Sequence, residues 1–418
     1  MNTILIKNIE IDGEIKDVFI SDTKIVKIAE SLNVVADEVI DGKNCALMPS
    51  FVNMHTHTSM GLMRGCEEDL PLFEWLQRIW AIEDNLTPEM IYWGCKLACV
   101  EMIKTGTTAF NDMYWNSDVA AKAVVEMGIR GFHSSTLLDA GSEVRMVEDR
   151  ERVMETFEKS KQWSELNQFL VGVHANYTVQ KKNILWAKEF AVKNNLKLHI
   201  HLAETEKEGL DSIEYTGVSP TKYLDQMGIL DENVIAAHCV WLNDEDIEIL
   251  GKRKVTVVHN VNSNLKLASG YKFKMQELID AGANVTIGTD GPATSNNLDI
   301  LEASKIAALL QKAWRKDPTA MPLDTILQVS SANGFKALGI DAGRIEEGAV
   351  ADLNIVDLSS AFFVPRFNFK ANFVYSAPSS SIKTVICNGK IVMKDRKIAG
   401  EDEIIRNADL MARKLNKK

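Results

Sequence analysis

Eight short apolar runs, most of them closed by a His, Asp or Asn and separated by helix-patterned text, constrain this chain more than any other feature. They are LMPSFVNMH (47–55), TTAFNDM (107–113), IRGFHSS (129–135), FLVGVHA (169–175), LKLHIHL (196–202), NVIAAHC (233–239), KVTVVHN (254–260) and NVTIGTD (284–290). Segments such as SDVAAKAVVEMG (117–128) and KNILWAKEFAVKNN (182–195) lie between them with helical apolar spacing. Strands alternating with helices predict a parallel sheet with helical crossovers. Eight such units are the number that closes a (β/α)₈ TIM barrel.

The 418 residues exceed one ordinary core and leave room for a smaller unit. Strand-like text with turns at Asp12-Gly13 and Asp41-Gly42 fills the start, and ADLNIVDL and SIKTVICNGKIVMKDRKI return to that pattern near the end. We therefore expect residues 1–48 and 345–418 to form a small β-sandwich domain with a C-terminal helix, and residues 49–344 to form the barrel.

Charge and cysteine usage narrow the function. The net charge is −11 with no Lys/Arg-rich block, a poor basis for binding nucleic acid. No apolar run approaches a membrane span, and the N-terminal text lacks a signal-peptide pattern, so a cytoplasmic enzyme is expected. Six cysteines form no C-x-x-C pair, which argues against a zinc ribbon and against the cytidine-deaminase type of zinc site. No G-x-x-x-x-G-K phosphate loop is present. The expected partner is a small-molecule substrate, with self-association left open.

His55, Asp112, His174, His201, His238, His259 and Asp290 fall at or near the C-terminal ends of the runs, which converge on the active-site face of such a barrel. His55 and His57 are two apart, so both side chains leave the strand on one face. His199 and His201 repeat that spacing. His201 lies nearer the mouth and is read as the ligand, with His199 a deeper supporting residue. Asp290 ends the eighth run, beside the first once the barrel closes. His55, His57, His201 and Asp290 would bind one divalent cation, Zn²⁺ first and Fe²⁺ as the alternative. Such an ion brings the pKa of its bound water to about 7. Glu204, one helical turn past His201, and His238, closing the sixth run, suit proton handling beside it, as does Asp290.

These residues resemble the amidohydrolase superfamily, and within it the methylthioadenosine/S-adenosylhomocysteine deaminase group. The segments that carry the likeness include PSFVNMHTHTSMGLMRG (49–65), HIHLAETEKE (199–208), VVHNVNSNLKLASG (257–270) and IGTDGPATSNNLD (287–299). The resemblance implies a deaminase of an adenine-type nucleoside. Glu204 would protonate the ring, His238 would orient the attacking hydroxide, Glu83 would hold ribose hydroxyls and His174 would contact the purine. Trp75 would lie near a substrate-covering loop, or equally serve as a helix core residue. The fourth run offers no lysine to bridge two metals, which favours a single ion. Ser135 stands where the group commonly has an arginine for the homocysteine carboxylate, with Arg145 as the second contact. That favours methylthioadenosine, 5′-deoxyadenosine or adenosine over S-adenosylhomocysteine. Alternative readings are a deaminase or chlorohydrolase of guanine, 8-oxoguanine, cytosine, a pterin or a triazine and, more remotely, a non-catalytic metal-binding protein.

Overall fold

The structure, a computed structural model, describes residues 2–416. Eight parallel strands form the barrel: β1 (Phe51–Thr56), β2 (Thr107–Tyr114), β3 (Arg130–Leu137), β4 (Asn167–Ala175), β5 (Leu198–Leu202), β6 (Val234–His238), β7 (Thr256–His259) and β8 (Asn284–Ile287). Each pairs with its neighbours in sequence order. Past the end of β8, the Thr289 and Asp290 N–H groups donate to the His55 carbonyl at 3.2 and 2.9 Å, closing the ring against β1. Asn53 and Thr289 reinforce that seam through their side chains, at 2.7 Å.

Strand alternation explains why the runs carry histidine among apolar residues. In β5, Leu198, Ile200 and Leu202 join the core shared with the outer helices. His199 and His201 therefore face the barrel interior. The interior floor is apolar: Ala109, Phe132, Leu170, Ile235 and Val258 pack with Phe335 of the helix Ala332–Leu338. Val52 and Met54 join this floor. A register shift in β1 between Asn53 and Thr56 then breaks the alternation below His55 and His57.

The first expected run divides into two strands. Cys45–Pro49 pairs antiparallel with Leu353–Asp357 in the terminal sheet, whereas β1 begins the barrel. Ser50 is the joint, its N–H donating to Asp352 O at 3.0 Å and its carbonyl accepting from Ser331 Oγ at 2.6 Å. An unbroken apolar run does not reveal that its two halves pair with different sheets. The terminal sheet has eight strands drawn from both chain ends. Ile20 and Ile25 from its first hairpins share a core with Leu353 and Ile386 from its last, so the sheet folds over itself.

The helix Glu401–Leu415 follows this sheet in sequence but packs elsewhere. Ala408, Met411 and Leu415 join an apolar cluster with Met60, Leu62 and Trp75 on the barrel's mouth side. Among the described residues no helix is long and apolar enough to cross a membrane.

Gly288 sits at the seam, where a Cβ would meet Asn260 Oδ1 at 2.5 Å and His55 N at 2.8 Å. Gly288→Ala is expected to destabilise the fold by about 1–3 kcal/mol through overpacking. Chemical denaturation reads this as a lowered midpoint, and an unchanged midpoint would contradict the seam described.

Candidate active site

At the mouth of the barrel a carboxylate meets two imidazoles, and a third imidazole lies against one of them. Asp290 Oδ1 lies 3.1 Å from His57 Nε2 and 3.4 Å from His55 Nε2. His201 Nε2 lies 3.2 Å from His55 Nε2. Each of these rings has a partner behind it. His57 Nδ1 donates to Met113 O at 2.6 Å, and His201 Nδ1 donates to His174 O at 2.7 Å. His55 Nδ1 meets His199 Nε2 at 3.0 Å, and His199 Nδ1 in turn lies 3.0 Å from Ser134 Oγ. A ring nitrogen bonded from behind leaves the other aimed at a cation, the usual dress of a metal-binding histidine.

The electrostatics fit a cation between these groups. Burial opposes the Asp290 charge, but the neighbouring His55 and His57 outweigh it and hold the carboxyl well below its ordinary range. Burial also opposes a charge on His57, yet Asp290 prevails and raises its pKa to about 9. Without a metal, a proton on His57 supplies the positive charge that the carboxylate demands. The donor atoms of His55, His57 and Asp290 lie within 4.8 Å of one another, as do those of His55, His201 and His238. Three imidazoles and one carboxylate suit a divalent transition metal.

Glu204 and His238 stand beside this cluster, with Glu204 Oε2 3.7 Å from His238 Nε2. The turn bearing Glu204 is not the helical one expected: Ala203 is left-handed, with φ 49°, and the helix begins only at Glu206. Glu208 clamps that turn, accepting from Ala203 N–H at 2.9 Å and Glu204 N–H at 2.8 Å. Burial, then the charges of Asp290 and Glu208, push the Glu204 pKa well above its ordinary value. Burial pulls the His238 pKa down to about 3. Glu204 is thus disposed to carry a proton and His238 to remain neutral.

A cavity opens over these groups. The helix Leu72–Glu83 forms one wall, where Leu72, Trp75, Leu76 and Ile79 recur at helical spacing and Glu83 ends the same face. Trp75 is buried, lines the cavity, and leaves its Nε1 without a partner. Trp75 thus packs in the helix and faces the cavity. Tyr114 Oη donates to Glu83 at 2.5 Å, and burial raises the Glu83 pKa to about 7. His174 also lines the cavity, with Nδ1 2.8 Å from Thr178 Oγ1.

Other expected residues stand apart. Arg145 is exposed on the helix Glu143–Ser160 and lines a neighbouring cavity instead, beyond Trp80, Glu83, Tyr114 and Trp115, which border both. Strand alternation turns Ser135 away, and Thr136 is the β3 residue that lines the first cavity. His133 packs against Trp163 outside the barrel, and His259 stacks on Phe273 with ring centroids 4.0 Å apart. Sequence reasoning missed Tyr114, Trp80, Trp115 and Tyr177 in the lining. Tyr114 alone had a local signal, two residues past Asp112 at the end of its run.

A barrel of this kind, with imidazoles and a carboxylate gathered at its C-terminal mouth, defines a metal-dependent hydrolase class. The model of the amidohydrolase family matches residues 46–392. A methylthioadenosine/S-adenosylhomocysteine deaminase of Thermococcus sibiricus is 44% identical over 90% of this chain and 89% of its own. A 5′-deoxyadenosine deaminase of Methanoregula boonei is 43% identical over 89% and 85%. The crystal structure of an adenosine deaminase from Xanthomonas campestris with bound zinc superposes with a TM-score of 0.92 at 31% identity, covering 100% of this chain and 98% of that one. The chain belongs to the amidohydrolase family.

Metal uptake by stripped protein at pH 7 is expected to release a proton, because His57, with its pKa near 9, carries one until a cation takes its place. The affinity should therefore weaken as pH falls. Indicator-dye titration checks this, and His57→Ala should abolish that proton's release.

Proposed function

We propose that this chain is a hydrolytic deaminase that converts an adenine-type nucleoside and water into the inosine analogue and ammonia. One observation supports the reading above others: a buried carboxyl, Glu204, disposed to hold a proton, lines the same cavity as His57, His201, His238 and Asp290, with Glu83 also in its wall. An aromatic ring accepts a nucleophile at carbon only if its adjacent nitrogen is protonated as the electrons arrive. Glu204 is the group placed to deliver that proton.

His55, His57, His201 and Asp290 would hold the ion, with Zn²⁺ the first candidate because the Xanthomonas campestris relative was solved with zinc. When bound there, the ion makes water acidic enough to ionise near neutral pH. Asp290, the one low-pKa carboxylate at the site, would accept the proton that water gives up. His238 would orient the oxygen. The proton taken up by Asp290 would pass to the departing amine, which leaves as ammonia, and the hydroxyl proton remaining on the ring carbon's oxygen would restore Glu204. Trp75 and His174 would flank the base, while Glu83, braced by Tyr114, would accept from the ribose hydroxyls.

The cavity also speaks to the 5′ substituent. Among the described residues its lining contains no lysine or arginine, and Thr136 is the residue that β3 contributes. A small neutral group therefore fits best, as in 5′-deoxyadenosine or methylthioadenosine. An amino-acid tail would have to extend into the neighbouring cavity, where Arg145 and Glu148 offer opposite charges.

The deciding experiment measures ammonia release from adenosine, 5′-deoxyadenosine, methylthioadenosine, S-adenosylhomocysteine and guanine at matched concentrations. The neutral 5′-substituted nucleosides should give the highest kcat/KM. Release from guanine alone would favour the other-heterocycle reading. Glu204→Gln should lower kcat by about 10²- to 10⁴-fold with metal content unchanged. Glu83→Ala should raise KM for nucleosides by about 10- to 100-fold, the loss of a hydrogen bond to a charged group, and equal KM values would remove ribose from that position.

A further inference from the structure

The short helix Val261–Lys266 presents two successive side chains to the site. Ser263 Oγ donates to Asp290 Oδ2 at 2.6 Å, on the side of the carboxylate away from His55 and His57. Asn264 Nδ2 lies 3.0 Å from His238 Nδ1. Both Asn264 and His238 are 1% exposed, so bulk water does not compete for this contact. An amide nitrogen only donates. His238 Nδ1 then accepts, and the neutral ring carries its single proton on Nε2, the atom facing Glu204.

The choice of tautomer decides between two incompatible uses of one ring. The His238 donor atom falls within 4.8 Å of those of His55 and His201, so a bare Nε2 would be a further ligand for the cation. A protonated Nε2 is barred from the cation and offers a hydrogen bond instead. His57 and His201 are set the other way. Carbonyl oxygens of Met113 and His174 stand behind them and only accept, which places a proton on Nδ1 and leaves Nε2 for the ion. The partner behind each ring thus sorts these histidines into ligands and a donor.

We infer that Asn264 is a positioning residue that holds His238 as the Nε2–H tautomer, keeping it off the metal and aiming a donor at the oxygen that adds to the substrate ring. The last clause rests on the deaminase reading; the tautomer does not. Rotation of the Asn264 amide would put its oxygen against His238 and reverse the tautomer, so the two arrangements give opposite spectra.

The test uses full-length protein with ¹⁵N-labelled histidine and long-range ¹H–¹⁵N spectra, metal-free and zinc-loaded, with His238 assigned by comparison with His238→Asn. Wild type should show His238 protonated on Nε2 in both states. Asn264→Asp presents only acceptors, so it should move the proton to Nδ1. It should also lower kcat at least about 10²-fold, the scale of a misplaced proton-handling group, with KM little changed. A wild-type spectrum with the proton on Nδ1 overturns the inference, and it decides the matter even if the variant does not fold. So does a variant in which the tautomer reverses at full kcat. If no adenine nucleoside releases ammonia, the deaminase reading fails while the tautomer assignment stands on its spectrum.

Discussion

The carboxylate of Asp290 is the charge around which the mouth of this barrel is arranged. A buried ion costs several kcal/mol unless it is paired and hydrogen-bonded. Here Oδ1 meets His55, His57 and the Gly291 N–H, and Oδ2 meets Ser263. Placing it there requires the backbone to leave β8 in a left-handed turn, with φ 62° at Asp290. The same residue's N–H bonds to the His55 carbonyl, so ring closure and the central charge are supplied by one position.

Much of the fold was legible because the barrel writes itself as a period. Runs of about the right length, each tipped by a polar residue, correspond to β2 through β8 within a few residues. What the pattern could not show was where an apolar run changes sheets. Leu47 and Phe51 look alike to any local rule, yet Leu47 serves the terminal sheet and Phe51 the barrel. The packing of the final helix on the mouth side was invisible for the same reason, since an amphipathic face does not name its partner.

The candidate site was legible to the depth of its strand ends and no further. His55, His57, His201 and Asp290 gather because they lie at or just past strand ends; period-two alternation aims His201 inward, whereas the register shift in β1 and the left-handed turn at Asp290 set the others. Glu204, Trp75 and Arg145 lie on connections, whose courses depend on long-range contacts such as the Glu208 clamp. Alternation also separated Ser135 from Thr136, a difference of one residue that reverses which side chain meets the cavity. The aromatic residues of the wall came from segments with no shared pattern.

The last turns of the chain bear on when the molecule becomes competent. Ala408, Met411 and Leu415 share one apolar cluster with Trp75 and Ile79 of the cavity wall, and the first hairpins wait for strands beyond residue 350 to complete their core. During synthesis the barrel strands emerge well before either partner. The carboxyl-terminal helix therefore joins the cluster behind the cavity wall only after every barrel strand has been made.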